Sequence, residues 1–144
     1  MILIPFLQIK KVFDKTDNDF KRYDEKFSRS LDENDITHAI ALFYQFHQDS
    51  QIKTIRETIR KLQSIRRWFE KQTTYHFFAL SIIIAYNATC KANQNTDIRI
   101  KLVDFAHVFP ANDKRDDNFL SGLNAVEKQL NLLLHPEYCF KDVR

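Results

Sequence analysis

At 144 residues the chain is long enough for one domain with a hydrophobic core and too short for two comfortable ones. The formal net charge of +3 excludes a nucleic-acid binder that works through its global field, so an anionic partner needs a local basic cluster. Two cysteines, Cys90 and Cys139, form no metal spacing or disulfide framework, and a single glycine, Gly122, leaves no Gly-rich phosphate loop. Met1 to Leu7 is too short for a signal peptide, and the apolar run Phe77 to Tyr86 is half of the roughly 20 residues a spanning helix needs. These features fit a soluble chain of a reducing compartment, the cytoplasm or the nucleus.

In chain order, Ile4 to Asp14 and Phe20 to Phe27 flank the polar cluster Lys15 to Asp19 and predict a β-hairpin. Ser30-Leu-Asp-Glu33 fits a capping box, with Asp32 as an alternative cap. Behind it Ile36, Ile40 and Phe43, then Phe46 or His47, repeat at helical spacing until Gln48-Asp-Ser50 breaks the pattern. Ile52, Ile55, Ile59, Leu62, Ile65, Trp68 and Phe69 mark a second, longer helix, so that residues 32–72 form a helical pair. His76 to Tyr86, centred on Ile82-Ile-Ile84, predicts one buried strand. Asn87 to Asp97 is a polar loop. Ile98, Ile100 and Leu102 then alternate with Arg99, Lys101 and Val103 in a strand ending near Asp104. Phe109 to Asp116 is a loop, Asp116 or Asp117 caps a final helix through Leu134, and Pro136 limits it. The order predicts one α+β domain over 1–144, with a basic helical pair inserted between strands of one antiparallel sheet and a C-terminal helix.

Two groups of residues carry chemistry. In Leu102-Val-Asp-Phe-Ala-His-Val108 an acidic residue closes a hydrophobic strand and an aromatic follows it. That arrangement presents a carboxylate to a divalent cation, and Mg²⁺ is held by one or two carboxylates plus phosphate oxygens and water. An aspartate that merely makes the turn is the alternative. On the second helix Lys53, Arg56, Arg60 and Lys61 follow i, i+3, i+4 spacing and form one basic stripe, with Arg66, Arg67 and Lys71 beyond. Arginine forks and lysine charges match phosphate oxygens, whereas the plainer reading is the solvated face of an amphipathic helix.

Val103-Asp-Phe-Ala-His107 resembles the "(I/V)DFAH" signature of the inositol polyphosphate kinases, and Asp104 to Pro110 resembles the "DFAHVFP" of multikinases. Tyr75 to Tyr86 resembles the "YRFYSSSLLVIY" strand without a gap, Asp116 to Leu123 resembles "DxGYxxGL", and Phe27 to Leu31 sits where "YGRGL" is found. The resemblance spans nearly the whole chain in the family's order. It implies ATP and Mg²⁺ as cofactors and an inositol phosphate as substrate. Asp104 is then the metal-binding and nucleotide-positioning residue, with Ser81 beside nucleotide and metal on the neighbouring strand. It also implies that the helical pair helps bind inositol phosphate, through Lys53, Arg56 and Arg60. His107 belongs to the signature without a chemical role that its type alone defines.

The chain departs from the family in several places. No "PxxxDxKxG" segment precedes residues 8–13, so the resemblance is to the C-terminal part of a kinase without its nucleotide-covering lobe. Ser28, Ser30 and Asn118 stand where the family has glycines; Asn118 is expected to keep a turn of positive φ. Ala79 and Leu80 replace the two leading serines of "SSSLL". Phosphoryl transfer rests on positioning and electrostatics supplied by groups acting together, so the chain alone is expected to be weak or inactive without a complementary N-terminal kinase segment. The leading expectation is a truncated inositol polyphosphate kinase. A non-catalytic module that binds inositol phosphates or a protein partner is the second. A nucleic-acid binder is the weakest, because no base-stacking surface adjoins the basic helix.

Overall fold

The computed structural model describes residues 11–14, 16–24, 26, 30, 33–44, 49–88 and 97–135. Strands β1 (Lys11–Asp14) and β2 (Asp19–Arg22) come first, followed by helices α1 (Glu33–Tyr44) and α2 (Asp49–Lys71). Strands β3 (Tyr75–Phe78), β4 (Ser81–Tyr86), β5 (Ile98–Val103) and β6 (His107–Pro110) precede helix α3 (Asp117–Leu133). The α+β class expected from the sequence is thus the class observed. Leu31 and Asp32 of the proposed capping box, Gln48, the centre of the loop after Tyr86, both cysteines, Ser28 and Pro136 lie outside the described residues, whereas Asp49 and Ser50, expected to break the helical pattern, open α2.

Each helix turns one apolar stripe inward. Ile36, Ile40 and Tyr44 of α1 meet Ile55, Ile59, Leu62 and Phe69 of α2 and Phe119, Leu120, Leu123, Leu130 and Leu133 of α3 in one core. Side chains of this size contribute about 1.5–3 kcal/mol each when fully buried. Phe69 stacks on Phe119 with ring centroids 3.9 Å apart, which locks α2 to α3. Thr54 and Thr58 share the buried stripe of α2, where the Tyr44 hydroxyl donates to Thr58 Oγ1 at 3.0 Å and Thr58 donates to the Thr54 carbonyl at 2.9 Å. Trp68 does not join the stripe. It is 53% exposed and leans edge-on against Phe69.

The sheet differs from the single one expected. Among the described residues there are three antiparallel two-stranded ladders, β1–β2, β3–β6 and β4–β5. The β1–β2 hairpin is held to α1 by Val12, which packs with Ala39, Tyr23 and Phe43, and it shares no backbone ladder with the other strands. The apolar run predicted as one strand is divided at Ala79, whose φ of 60° breaks the extended backbone, into β3 and β4. The expected loop after Phe109 begins later, because His107–Pro110 pairs with β3.

The two remaining ladders are halves of one long, kinked hairpin. Ser81 lies opposite Val103 at the end of one, and Phe78 opposite His107 at the start of the other. Between those pairs one strand has residues 79–80 and the other 104–106, so the second carries one extra residue, as in a β-bulge. Both sides take a left-handed residue there, Ala79 with φ 60° and Asp104 with φ 70°. Ile82, Tyr86, Ile100 and Leu102 face the helices, whereas Ile83 is half exposed on the outer face.

Asp116, one of the two expected caps, starts α3. One carboxylate oxygen accepts from the Phe119 N–H at 3.0 Å and the other from the Phe77 N–H at 2.8 Å. A single buried side chain therefore fixes the last helix to the kinked hairpin. Asn118 lies in the first turn of α3 and has no positive φ, contrary to expectation, since the helix has already begun there.

Candidate functional site

Asp104 follows the last residue of β5, and Ser81 opens β4 opposite Val103, so the structure brings the two together at the kink. Asp104 is exposed, and its carboxylate meets no partner among the described residues. Ser81 is half-buried beside it. A left-handed backbone costs a non-glycine residue about 1–2 kcal/mol, and aspartate is one of the few that tolerates it. The bend ends β5 before Asp104 and leaves that residue exposed. The next residue, Phe105, packs edge-on against Phe77 at 6.0 Å and anchors the turn from below.

A hard, exposed, anionic oxygen donor at a fixed strand end suits a divalent cation such as Mg²⁺. Among the described residues no group of three or more His, Cys, Asp or Glu side chains surrounds it. A cation held there draws one carboxylate from this region, with the Ser81 hydroxyl at the neighbouring strand and the remaining oxygens from phosphates and water. The two lost serines are explained in part: Leu80 is buried in the core cluster, and Ala79 supplies the left-handed turn. His107 is exposed on β6 opposite Phe78 and makes no contact with a carboxylate among the described residues.

The basic residues of α2 divide into two sets. Lys53 and Arg56 are exposed without a partner among the described residues. Arg60 is also exposed, but its guanidinium grips Glu57 through two hydrogen bonds of 2.7 Å, and that pairing holds the Glu57 carboxyl below its ordinary range. Lys61 leaves the expected stripe: its ammonium donates to the Ile98 carbonyl and ties α2 to β5. Arg66 is bound to Glu127 of α3, and Arg67 donates to Ser64 Oγ at 3.1 Å.

No contact joins stripe and carboxylate among the described residues. Phe105, next to Asp104, connects to the end of α2 through the Phe69–Phe77–Phe105 ring chain. At 1.5 Å per residue Arg60 lies about 14 Å back along the helix from Phe69, Arg56 about 20 Å and Lys53 about 24 Å. Lys101 is nearer in sequence and escaped notice. It is exposed opposite Ile83, on the face that carries Ser81. The alternation of Arg99, Lys101 and Val103 against Ile98, Ile100 and Leu102 already marked that face as outward.

Comparison with known proteins bears on this site. Residues 8–131 match the family described as inositol polyphosphate kinase. The inositol polyphosphate multikinase IPK2 of rice (Oryza sativa subsp. indica) is 40% identical over 75 residues, covering 49% of this chain and 25% of the relative. The inositol polyphosphate multikinase alpha of Arabidopsis thaliana is 44% identical over 68 residues, covering 45% and 24%. The fold is similar to that of an inositol phosphate multikinase studied by structure and protein engineering, with a TM-score of 0.68 and 27% identity over 85% of this chain and 59% of that one. The multikinase Ipk2 of S. cerevisiae, solved in complex with ADP and Mn²⁺, gives a TM-score of 0.68 at 16% identity, over 90% of this chain and 57% of that one. The chain thus spans about a quarter of the length of the curated relatives it matches. With 124 of its 144 residues inside the family match, this chain belongs to the inositol polyphosphate kinase family.

Proposed function

We propose that this chain forms the metal-binding and substrate-facing part of an ATP-dependent inositol phosphate kinase. The observation that carries the reading is the placement of Asp104, a carboxylate without a partner among the described residues, on a left-handed strand end directly after the residue opposite Ser81. Asp104 binds the divalent cation, and Ser81 offers its hydroxyl from the adjacent strand. When bound, Mg²⁺ neutralises nucleotide phosphate charge and orients the phosphoryl group in line with the attacking hydroxyl. Lys53, Arg56 and Arg60 supply positive charge for substrate phosphates, Arg60 being nearest to Asp104 along α2. That solved Ipk2 was obtained with ADP and Mn²⁺ supports a nucleotide and a divalent cation as ligands of the family's fold.

Calorimetric titration with ADP in the presence and absence of Mg²⁺ tests the assignment. Asp104→Asn keeps a residue that accepts the left-handed backbone, and it should weaken metal-dependent binding at least ten-fold. Unchanged binding sinks the role of Asp104. The lack of any contact between the basic stripe and the carboxylate among the described residues favours a second reading, a non-catalytic module that binds inositol phosphates through α2. In that case binding of inositol hexakisphosphate is independent of metal and sensitive to salt. It survives Asp104→Asn and fails in Arg56→Ala/Arg60→Ala.

A further inference from the structure

Helix α2 carries more positive charge than the three residues assigned to substrate. At 3.6 residues per turn Lys53, Arg56, Arg60, Arg67 and Lys71 fall within about 60° of the helix circumference and run about 27 Å along it. All five are exposed, as are Gln63 and Ser64 in the gap between Arg60 and Arg67. Glu57 and Glu70 lie to either side of this line, and Glu57 is taken by Arg60. Lys53, Arg56, Arg67 and Lys71 meet no carboxylate among the described residues. The core consumes the opposite side of α2 through Ile55, Leu62 and Phe69, so the cationic line is what the helix shows to solvent.

A stacking surface that the sequence pattern hides adjoins the far end of this line. Trp68 follows Arg67, precedes Lys71 by one turn and is about half exposed, as is Tyr75 beyond the helix end. Both rings lean on Phe77, with centroids 6.3 and 6.4 Å from its own. The turn between them is held by the Gln72 side chain. Its oxygen accepts from the Thr74 and Tyr75 N–H groups at 3.2 and 3.1 Å, and its nitrogen donates to the Tyr75 carbonyl at 2.8 Å. Two half-exposed rings are thus held in place at the C-terminal end of α2.

We propose that α2 binds single-stranded nucleic acid, with phosphates along the line from Lys53 to Lys71 and bases stacked on Trp68 and Tyr75. The arrangement combines the two devices of single-strand recognition, a cationic track for the backbone and aromatic faces that accept any base. A line about 27 Å long exceeds what one compact inositol phosphate spans, which leaves Arg67 and Lys71 outside that role. An acidic peptide would satisfy the charges but has no use for the two rings. A membrane surface requires an apolar edge to insert, and the line carries none. Paired bases in a duplex cannot reach the rings. The site makes no use of Asp104 and stands apart from the kinase reading.

Trp68 is the chain's one tryptophan, so its fluorescence reports on the site directly. Titration with oligodeoxythymidylate of about 12 nucleotides at about 0.15 M salt should quench it, with half-saturation in the micromolar range. Raising the salt should weaken binding with a log–log slope of about −0.7 for each phosphate contacted, and Lys71→Gln should reduce that slope by about 0.7. By anisotropy of a labelled oligonucleotide, Trp68→Ala should weaken binding at least five-fold, while Trp68→Phe retains most of it. If Trp68→Ala does not fold, Arg67→Gln/Lys71→Gln decides, since it alters exposed side chains only and should weaken binding at least ten-fold. Absence of quenching, or binding unchanged in these variants, overturns the proposal. Equal binding of polyglutamate overturns it in favour of an acidic protein, and equal binding of a duplex of the same length removes the stacking and with it the single-strand site. Binding should be indifferent to chelation of Mg²⁺; a requirement for the cation overturns the site, because it routes the oligonucleotide to Asp104 instead.

Discussion

The helical interior and the outer face of the kinked hairpin solve opposite problems. Inside, buried polar groups are matched: Tyr44 with Thr58, Thr58 with the Thr54 carbonyl, Asp116 with two backbone amides, Glu127 with Arg66. Among the described buried side-chain atoms, Gln51 Oε1 alone lacks a partner. Outside, Phe78, Ile83 and Phe109 are about half exposed, the backbone is left-handed at two positions, and the Asp104 carboxylate has no partner among the described residues. Stability is concentrated where partners are complete, and the proposed binding site lies where they are missing. Substitutions in the interior should therefore change folding, and substitutions on the outer face should change binding with little effect on folding.

The largest expected effect tests the interior. Phe69→Ala empties a fully buried ring site between α2 and α3 and should cost about 4 kcal/mol in urea unfolding. Asp116→Ala comes next, because it removes the cap of α3 and strands the Phe77 amide. A loss of about 3 kcal/mol is expected, seen as a lower denaturant midpoint. A loss near zero would show that α3 is not pinned through this carboxylate. Tyr44→Phe deletes one buried hydrogen bond and should cost about 1 kcal/mol.

The same tyrosine makes the interior sensitive to alkali. Burial pushes the Tyr44 phenol up to about 12, and burial with the neighbouring Tyr44 pushes Tyr86 upward as well. In the unfolded chain a phenol ionises near 10. The contribution is complete below about pH 10 and is lost as pH rises through about 12, since the unfolded state releases its protons first. Thermal melts at stepped pH should show this decline, shallower in Tyr44→Phe. The smallest effect lies at the kink and has the opposite sign. Ala79→Gly relieves a left-handed alanine and should raise stability by about 0.5 kcal/mol, net of the extra freedom glycine has when unfolded.

Much of this contrast was legible in the sequence because periodicity reports burial directly. The spacing of Ile55, Ile59 and Leu62 gives the inward stripe of α2, and the alternation from Ile98 to Val103 gives the two faces of β5. The Asp-Phe pair after an apolar strand located the candidate carboxylate for the same reason. Three things were hidden. The kink at Ala79 depends on a backbone angle that alanine does not advertise. Trp68 was placed inside on period alone, yet it is exposed and meets only ring edges of Phe69 and Phe77 among the described aromatic contacts. The basic residues of α2 look alike in sequence, yet Lys61 and Arg66 are consumed by β5 and α3, while Lys53 and Arg56 remain available. Which cation is structural depends on what the tertiary fold places opposite it, and no local pattern encodes that.

The extra residue at the kink also restricts how this protein can change in length. With three residues facing two, β6 meets β3 one step out of phase with the ladder above it. Deleting any one of residues 104–106 would restore the common phase and turn β6 over, sending Val108 outward and Phe109 inward. Deleting two would keep the faces but remove the turn that presents the carboxylate. At this point along the chain the number of residues is under as strict a geometric constraint as their identity, and an otherwise tolerable deletion would exchange the two faces of the ribbon.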